Sequence, residues 1–419
     1  MQRLLLVISL VFGILCAGEK SKTIYDAADI IDVLAGADKI VLNEMRLSLD
    51  IWQPLDHENP AAGGFTQRVY VLHKSVDKPV VLWLEGYASR GNNAQELTTL
   101  LDANQIMVEH RYFGDSKPDS LNWQYLTIEN AAADHHRIVT LFKDVYTGKW
   151  VNSGISKGGQ TTMYHRYFYP ADVDASVCYV APLNFSDEEP RVYDFLNNVG
   201  DADCRAAIKR LQKHILAQRD VYLPKFKAYS EEKEFTFRIG IEAAFEYAVL
   251  EYDFAFWQWH NSGCSDIPGP EDDPEAVFNH FVSVSGPSFF ADKDLDYFGP
   301  FFYQALTQIG FYGYDTKPFG NLLTAIDANT FGFAAPPGTK PVFDPEPMRK
   351  LNAWIQSEGT NMMFIYGEID PWSAGAVETA GNPNIFRFIK KGGDHRTRIK
   401  SFDEEEKEQI MHLLNRWVN

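Results

Sequence analysis

The chain has 419 residues, with 57 Asp and Glu against 39 Lys and Arg and a formal net charge of −18. That balance excludes a phosphate-binding basic surface and so argues against a nucleic-acid partner, while peptides with a free cationic terminus stay electrostatically compatible. The length exceeds what one small core usually holds and predicts a large domain with a second layer.

Residues 1–18 read as an export signal. Arg3 gives a thin positive start, residues 4–15 form a short apolar run, and Cys16-Ala17-Gly18 offers small residues for cleavage. The run is too short to span a bilayer and no later stretch reaches about 18 apolar residues, so no membrane span is expected. The expected location is secreted or periplasmic.

From 19 to 185, apolar strands at 69–72, 80–84, 106–109, 150–153 and 175–180 alternate with helical stretches, the pattern of an α/β domain built on buried parallel strands. From 186 to 345 the strands stop, and amphipathic segments at 205–218 and 241–259 read as a mostly helical cap insertion. From 346 to 419 the α/β pattern returns: a helix at 348–356, strands at 362–366 and 385–389, and a closing helix at 402–417. Without the signal, three cysteines remain. Cys178 lies in a strand and behaves as a small hydrophobe. Cys204 and Cys264, both in the polar helical middle, are the better pair; their bridge would close a loop of about 60 residues and contribute roughly 4 kcal/mol.

The run Gly154-Ile155-Ser156-Lys157-Gly158 sits between a predicted strand and a predicted helix. Glycines two positions either side of a serine allow the sharp turn that exposes a nucleophile above a sheet. This predicts an α/β-hydrolase fold with Ser156 as nucleophile. The acid and base should follow in chain order. Asp370 falls at a strand's carboxyl end in Gly367-Glu368-Ile369-Asp370-Pro371-Trp372, and His395 ends Gly392-Gly393-Asp394-His395. Glu368 and Asp394 are rival acids that fit the strand-end loop less well. The oxyanion donors are expected to be the backbone N–H groups of Lys157 and of Tyr87, in Glu85-Gly86-Tyr87. His135 and His136 beside Asp134 lie on a predicted helix without a second ligand cluster, so neither metal nor cofactor is expected.

Three segments resemble the lysosomal prolyl carboxypeptidase and dipeptidyl peptidase II family. They are Gln53-Pro54-Leu55-Asp56-His57-Glu58-Asn59 with Phe65-Thr66-Gln67-Arg68, Glu109-His110-Arg111-Tyr112-Phe113-Gly114-Asp115-Ser116, and Tyr125-Leu126-Thr127-Ile128-Glu129-Asn130-Ala131. Lysine follows the serine where that family has tyrosine. Ser156-Lys157-Gly158-Gly159 is similar instead to the bacterial secreted tripeptidyl and prolyl tetrapeptidyl aminopeptidases. So are Ala181-Pro182-Leu183-Asn184, Phe256-Trp257-Gln258, Tyr303-Gln304-Ala305-Leu306-Thr307-Gln308 and the run from Tyr366 to Trp372; Cys204 and Cys264 fall where that family's cysteines do.

The resemblance implies a peptidase that releases tri- or tetrapeptides from free amino termini, often after proline, with the cap restricting entry to small peptides. Phe301, Phe302 and Tyr303, or Trp257 and Trp259, are candidates to cover a P1 proline ring, with Gln304 beside them; cap core is the alternative for each. Glu188 and Glu189 of Asp187-Glu188-Glu189, or Glu85, are candidates to hold the substrate amine, against an exposed charge cluster starting a helix. An esterase or lipase would use the same triad without an acidic anchor. A non-catalytic exported binding protein on the same scaffold is the remaining alternative.

Overall fold

The computed structural model describes residues 23–24, 45–260, 263–326 and 328–418, so the export signal expected at 1–18 lies outside the described residues. The strands are β1 (Thr23–Ile24), β2 (Met45–Pro54), β3 (Gly64–His73), β4 (Val80–Leu84), β5 (Asn104–Val108), β6 (Trp150–Ile155), β7 (Ala175–Tyr179), β8 (Met362–Gly367) and β9 (Ile385–Lys390). They form one sheet in the order β1-β2-β3-β5-β4-β6-β7-β8-β9. β3 is antiparallel to both β2 and β5, whereas β4 to β9 run parallel throughout. The four strands β4 to β7 are buried along almost their whole length, which is why they read as largely apolar stretches without a clean alternation, although Asn104, Gln105, Asn152 and Ser153 are buried with them. This is the α/β-hydrolase fold. The expected strand at 175–180 is one residue shorter in the structure, because Val180 turns out of line at φ 44°.

Helices α1 (Glu96–Leu100), α2 (Ile128–Lys143) and α3 (Lys157–Phe168) connect the first half of the sheet. Between β7 and β8 the described residues hold no strand but a series of helices: α4 (Pro190–Asn198), α5 (Ala202–Ala217), α6 (Arg219–Glu232), α7 (Ile241–Trp259), α8 (Pro274–Ser285), α9 (Asp292–Tyr297) and α10 (Gly299–Gln304). A π-helical turn, Ala305–Ile309, extends α10. α11 (Glu346–Ser357) then leads into β8, and α12 (Glu404–Val418) closes the chain. One core continues from the α2–α3 side of the sheet into the β7–β8 helices, and another lies under α12 on the opposite face. α7, expected to be amphipathic, is instead buried nearly all round because other helices enclose it, and Glu246, Glu251 and Asp253 are buried along with its apolar residues.

A bridge between Cys204 and Cys264, with Cα atoms 5.3 Å apart, ties the start of α5 to the chain just beyond α7. Cys178 is buried in β7, and its thiol is pushed well above its ordinary value by that burial. Replacing both bridge cysteines by alanine should lower stability by about 4 kcal/mol, from the entropy of a loop of that length. A urea-unfolding midpoint unchanged from the parent protein would contradict this.

Candidate active site

The turn from β6 into α3 is a tight one at the sheet edge. Ser156 stands there at φ 56° and ψ −121°, a conformation that L side chains rarely adopt, and its N–H donates to Tyr179 O at 2.8 Å. The flanking glycines are required by space. A Cβ on Gly154 would lie 2.3 Å from Gly158 O, and one on Gly158 would lie 2.5 Å from Leu84 O. β4, β6, β8 and β9 are parallel, so the segments that follow them all emerge at one edge.

At that edge Asp370 follows β8 and His395 follows β9. His395 Nδ1 and Asp370 Oδ2 are 2.7 Å apart, with Asp370 fully buried and His395 nearly so. A carboxylate only accepts, so Nδ1 carries the proton and Nε2 is left with its lone pair. Asp370 Oδ1 accepts from Trp372 N–H at 3.1 Å, and His395 N–H donates to Gln258 O, at the end of α7, at 3.0 Å. The acid loop and the histidine loop touch where a Cβ on Gly367 would lie 2.3 Å from Gly393 O. The two rival acids have other partners: Glu368 accepts from Gly392 N–H at 2.8 Å, and Asp394 pairs with Arg396 Nε at 2.9 Å.

The Glu85–Arg90 loop after β4 lies directly on the start of α3. A Cβ on Gly86 would be 2.6 Å from Lys157 Cβ and 2.7 Å from Gly158 N. Gly86 O accepts from Lys157 Nζ at 2.8 Å, Tyr87 O accepts from His110 N–H at 3.2 Å, and Ser89 N–H donates to Glu109 Oε2 at 2.9 Å. Among the described residues, neither Lys157 N–H nor Tyr87 N–H donates to the protein, so both backbone donors are free at this edge.

The residues expected on the substrate side are dispersed. Trp257 is buried and fills the space beside Gly200, and Phe302 is fully buried among Phe289, Phe311 and Phe331. Both are core, because their helices turn these rings inward. Tyr303 is half-buried against Trp123. Gln304 is fully buried, and neither of its amide atoms has a protein partner. Glu189 caps α4 and pairs with Arg191 at 2.7 Å, which neutralises it. Glu188 has neutral partners, Tyr193 OH at 2.6 Å and the Asn329 amide. Glu85 accepts from Trp83 Nε1 at 3.2 Å, and desolvation pushes its carboxyl up to about 7.

Two aromatics flank His395: Trp259, 40% exposed, edge-on at 5.7 Å, and Trp372 at 6.4 Å. Trp372 was not marked by the sequence, although its place two residues after Asp370 was a usable signal. Glu251 of α7 also went unmarked. It is buried and accepts from Tyr312 OH at 2.8 Å and Tyr314 OH at 2.6 Å, and Tyr312 stacks on Phe254 and meets Trp372.

The histidines of α2, with His165 of α3, are structural. His136 Nδ1 meets Asp172 at 2.9 Å, and His165 Nε2 meets the same carboxylate at 3.1 Å. Burial drives the His135 imidazole down to about 3, so it stays neutral. Among the described residues, no cluster of His, Cys, Asp and Glu could hold a metal ion, and no helix is long and apolar enough to cross a membrane.

Two outcomes follow from this packing. Gly158→Ala should cost about 3 kcal/mol, since the added methyl meets backbone that cannot yield; an unchanged unfolding midpoint would contradict the crowding at Leu84 O. Burial raises the Glu251 carboxyl from 4.5 to about 7, against the two tyrosine hydrogen bonds that lower it. The folded chain therefore holds this proton more tightly than the unfolded one, and the associated stability is present below pH 4.5 and lost as pH rises through about 7. Glu251→Gln should flatten that part of the stability–pH curve. An identical slope between pH 5 and pH 8 in both proteins would show that Glu251 does not titrate there.

Residues 32–416 match the PS-10 peptidase S37 family. The chain is 33% identical over 374 residues to the prolyl tri/tetrapeptidyl aminopeptidase of Streptomyces mobaraensis, covering 87% of this chain and 78% of that protein. It is 29% identical over 149 residues to the prolyl carboxy peptidase like protein 5 of Caenorhabditis elegans, covering 32% of this chain and 29% of that protein. Among solved structures, a proline iminopeptidase from Mycobacterium smegmatis superposes with a TM-score of 0.43 at 12% identity, over 88% of this chain and 98% of that one. With that family match spanning most of the sequence, the chain belongs to the S37 peptidases and is a serine peptidase.

Proposed function

We propose that this protein is an exported exopeptidase that removes tri- or tetrapeptides from free amino termini, favouring proline at P1, by a Ser156–His395–Asp370 acyl-enzyme mechanism. The observation that carries the reading is the buried His395–Asp370 pair at 2.7 Å, at the sheet edge where the strained Ser156 turn stands. His395 Nε2 takes the Ser156 hydroxyl proton as Oγ attacks the scissile carbonyl. Asp370 holds the ring and stabilises the imidazolium, which then protonates the leaving amine. Lys157 N–H and Tyr87 N–H receive the oxyanion. Water, deprotonated by His395, then releases the peptide from Ser156.

The helices between β7 and β8, with the segment to 345, act as the cap. Tyr87 is ringed by Phe113, Phe298 and Phe301 at 5.6–5.7 Å, an aromatic surface suited to a proline ring. Glu188 is the favoured amine anchor, because it has no cationic partner among the described residues, whereas Glu189 is neutralised by Arg191. Export rests on residues 1–18 and fits a bridged Cys204–Cys264 pair.

A tripeptide amide with proline at its third position should be cleaved when its amine is free and resist cleavage when it is acetylated; a short-chain ester shows whether simple esterase activity is present. Equal turnover of the free and acetylated peptides would overturn the exopeptidase reading. Ser156→Ala should lower kcat by on the order of 10⁴ to 10⁶, and retention of the parent rate would remove Ser156 from the mechanism. Glu188→Gln should raise KM for the free peptide by about tenfold, with kcat little changed. An unchanged KM would move the anchor elsewhere.

A further inference from the structure

Lys157 is an unusual residue to find where it is. It opens α3, directly after Ser156, and is 2% exposed. Among the described residues it pairs with no carboxylate; its Nζ donates to Gly86 O at 2.8 Å and lies over the rings of Phe113 at 5.6 Å and Tyr87 at 5.8 Å. Burial lowers its pKa well below the ordinary lysine value. Burying a lysine chain costs about 2 kcal/mol of side-chain entropy before any desolvation, and a methionine of similar length would fill the same space at a similar entropy cost but without desolvating an amine. The amine therefore needs a role beyond packing.

That role lies in the atom it touches. Gly86 O and Tyr87 N–H belong to one peptide unit, and no peptide bond among the described residues is cis. In a trans planar unit the C=O and N–H point in opposite directions, so fixing the oxygen fixes the direction of the N–H. A hydrogen bond accepted at the oxygen also polarises the N–H on the far side. Resting on the triad and oxyanion-hole reading above, we propose that the Lys157 side-chain amine is a positioning group that orients the Gly86–Tyr87 peptide so that Tyr87 N–H meets the oxyanion. One residue thus supplies the first donor with its backbone and sets the second with its side chain. Gly86 must lack a Cβ for that contact to form, since the added atom would lie on Lys157 Cβ.

The test is Lys157→Met, compared with Lys157→Leu and Lys157→Gln, each checked for folding by thermal unfolding. The Met and Leu variants should lower kcat by about 10- to 100-fold with KM nearly unchanged, less than outright removal of an oxyanion donor. Affinity for a substrate-like peptide aldehyde, whose adduct carries the tetrahedral oxygen, should fall by the same factor as kcat/KM, while product-peptide affinity stays constant. Gln, which keeps an N–H donor on a shorter stem, should recover part of the loss. Equal activity of Leu and Gln, or a loss confined to KM, would mean a packing role and overturn the proposal; should Met not fold, the Leu–Gln comparison decides it. Labelling the parent protein with a fluorophosphonate separates the two levels. If Ser156 is labelled and Lys157→Met keeps full kcat, only the positioning role fails. If Ser156 is not labelled, the triad reading itself fails.

Discussion

The backbone approach between the end of β4 and the β6–α3 turn is the constraint on which the rest depends. Gly154, Gly158 and Gly86 each stand where a Cβ would be within 2.7 Å of neighbouring atoms, most of them backbone. Side chains at these positions would push the strands, the helix and the Glu85–Arg90 loop apart. With glycine there, the turn closes, Ser156 is held at φ 56°, and the loop reaches the amino end of α3. The strain at Ser156 persists because strand, helix and the Tyr179 O hydrogen bond all fix it. Of the two unpaired N–H groups at this edge, that of Lys157 is left over by helix geometry, because it opens α3.

A second support lies behind this edge. Arg111 is fully buried and grips Asp134 with Nε and a terminal nitrogen, both at 2.7 Å. Nη1 donates to Leu55 O at 2.9 Å and Tyr125 O at 2.7 Å, the Nη2 that meets Asp134 also donates to Pro54 O at 3.3 Å, and His57 Nε2 meets Asp134 at 2.7 Å. Losing either partner would leave an uncompensated buried charge, typically a loss of 3–5 kcal/mol. Glu109 extends this support to the front, accepting from Ser116 N–H and Oγ on one oxygen and from Ser89 N–H on the other. The Glu85–Arg90 loop is thereby tied to the buried network.

Much of this was legible in the sequence, and the physical reasons differ from place to place. β4 is found where its five apolar residues predict it, because a wholly buried strand writes itself as an unbroken apolar run, and α7 fills the expected span at 241–259 but is buried nearly all round rather than on one face, its charged residues Glu246, Glu251 and Asp253 included. β2 went unread although its more and less buried residues alternate along nearly all its length; Trp52 on the less buried face blurs the pattern, and Pro54 ends it. The three segments around Gln53, Glu109 and Tyr125, which carried the family resemblance, converge on Arg111, so their signal was architectural rather than chemical. Ser156, Asp370 and His395 could be named because strand ends and chain order place them. The substrate side was harder. Periodicity cannot tell an aromatic that faces a cavity from one that faces a neighbouring helix, so Trp257 and Phe302 proved to be core while Trp259 and Trp372 stand beside His395. The Lys157 contact with Gly86 joins residues 71 apart in sequence, and no local pattern announces it.

The central claim is that Ser156 attacks beneath an oxyanion hole formed by Lys157 N–H and Tyr87 N–H. A crystal structure of the enzyme inactivated by a peptide phosphonate tests it most directly. The account predicts a covalent bond from Ser156 Oγ to phosphorus, with one phosphonyl oxygen about 2.7–3.1 Å from both backbone nitrogens and His395 Nε2 facing the leaving-group side. A phosphonyl oxygen directed away from Tyr87 N, or an adduct on another residue, would contradict it.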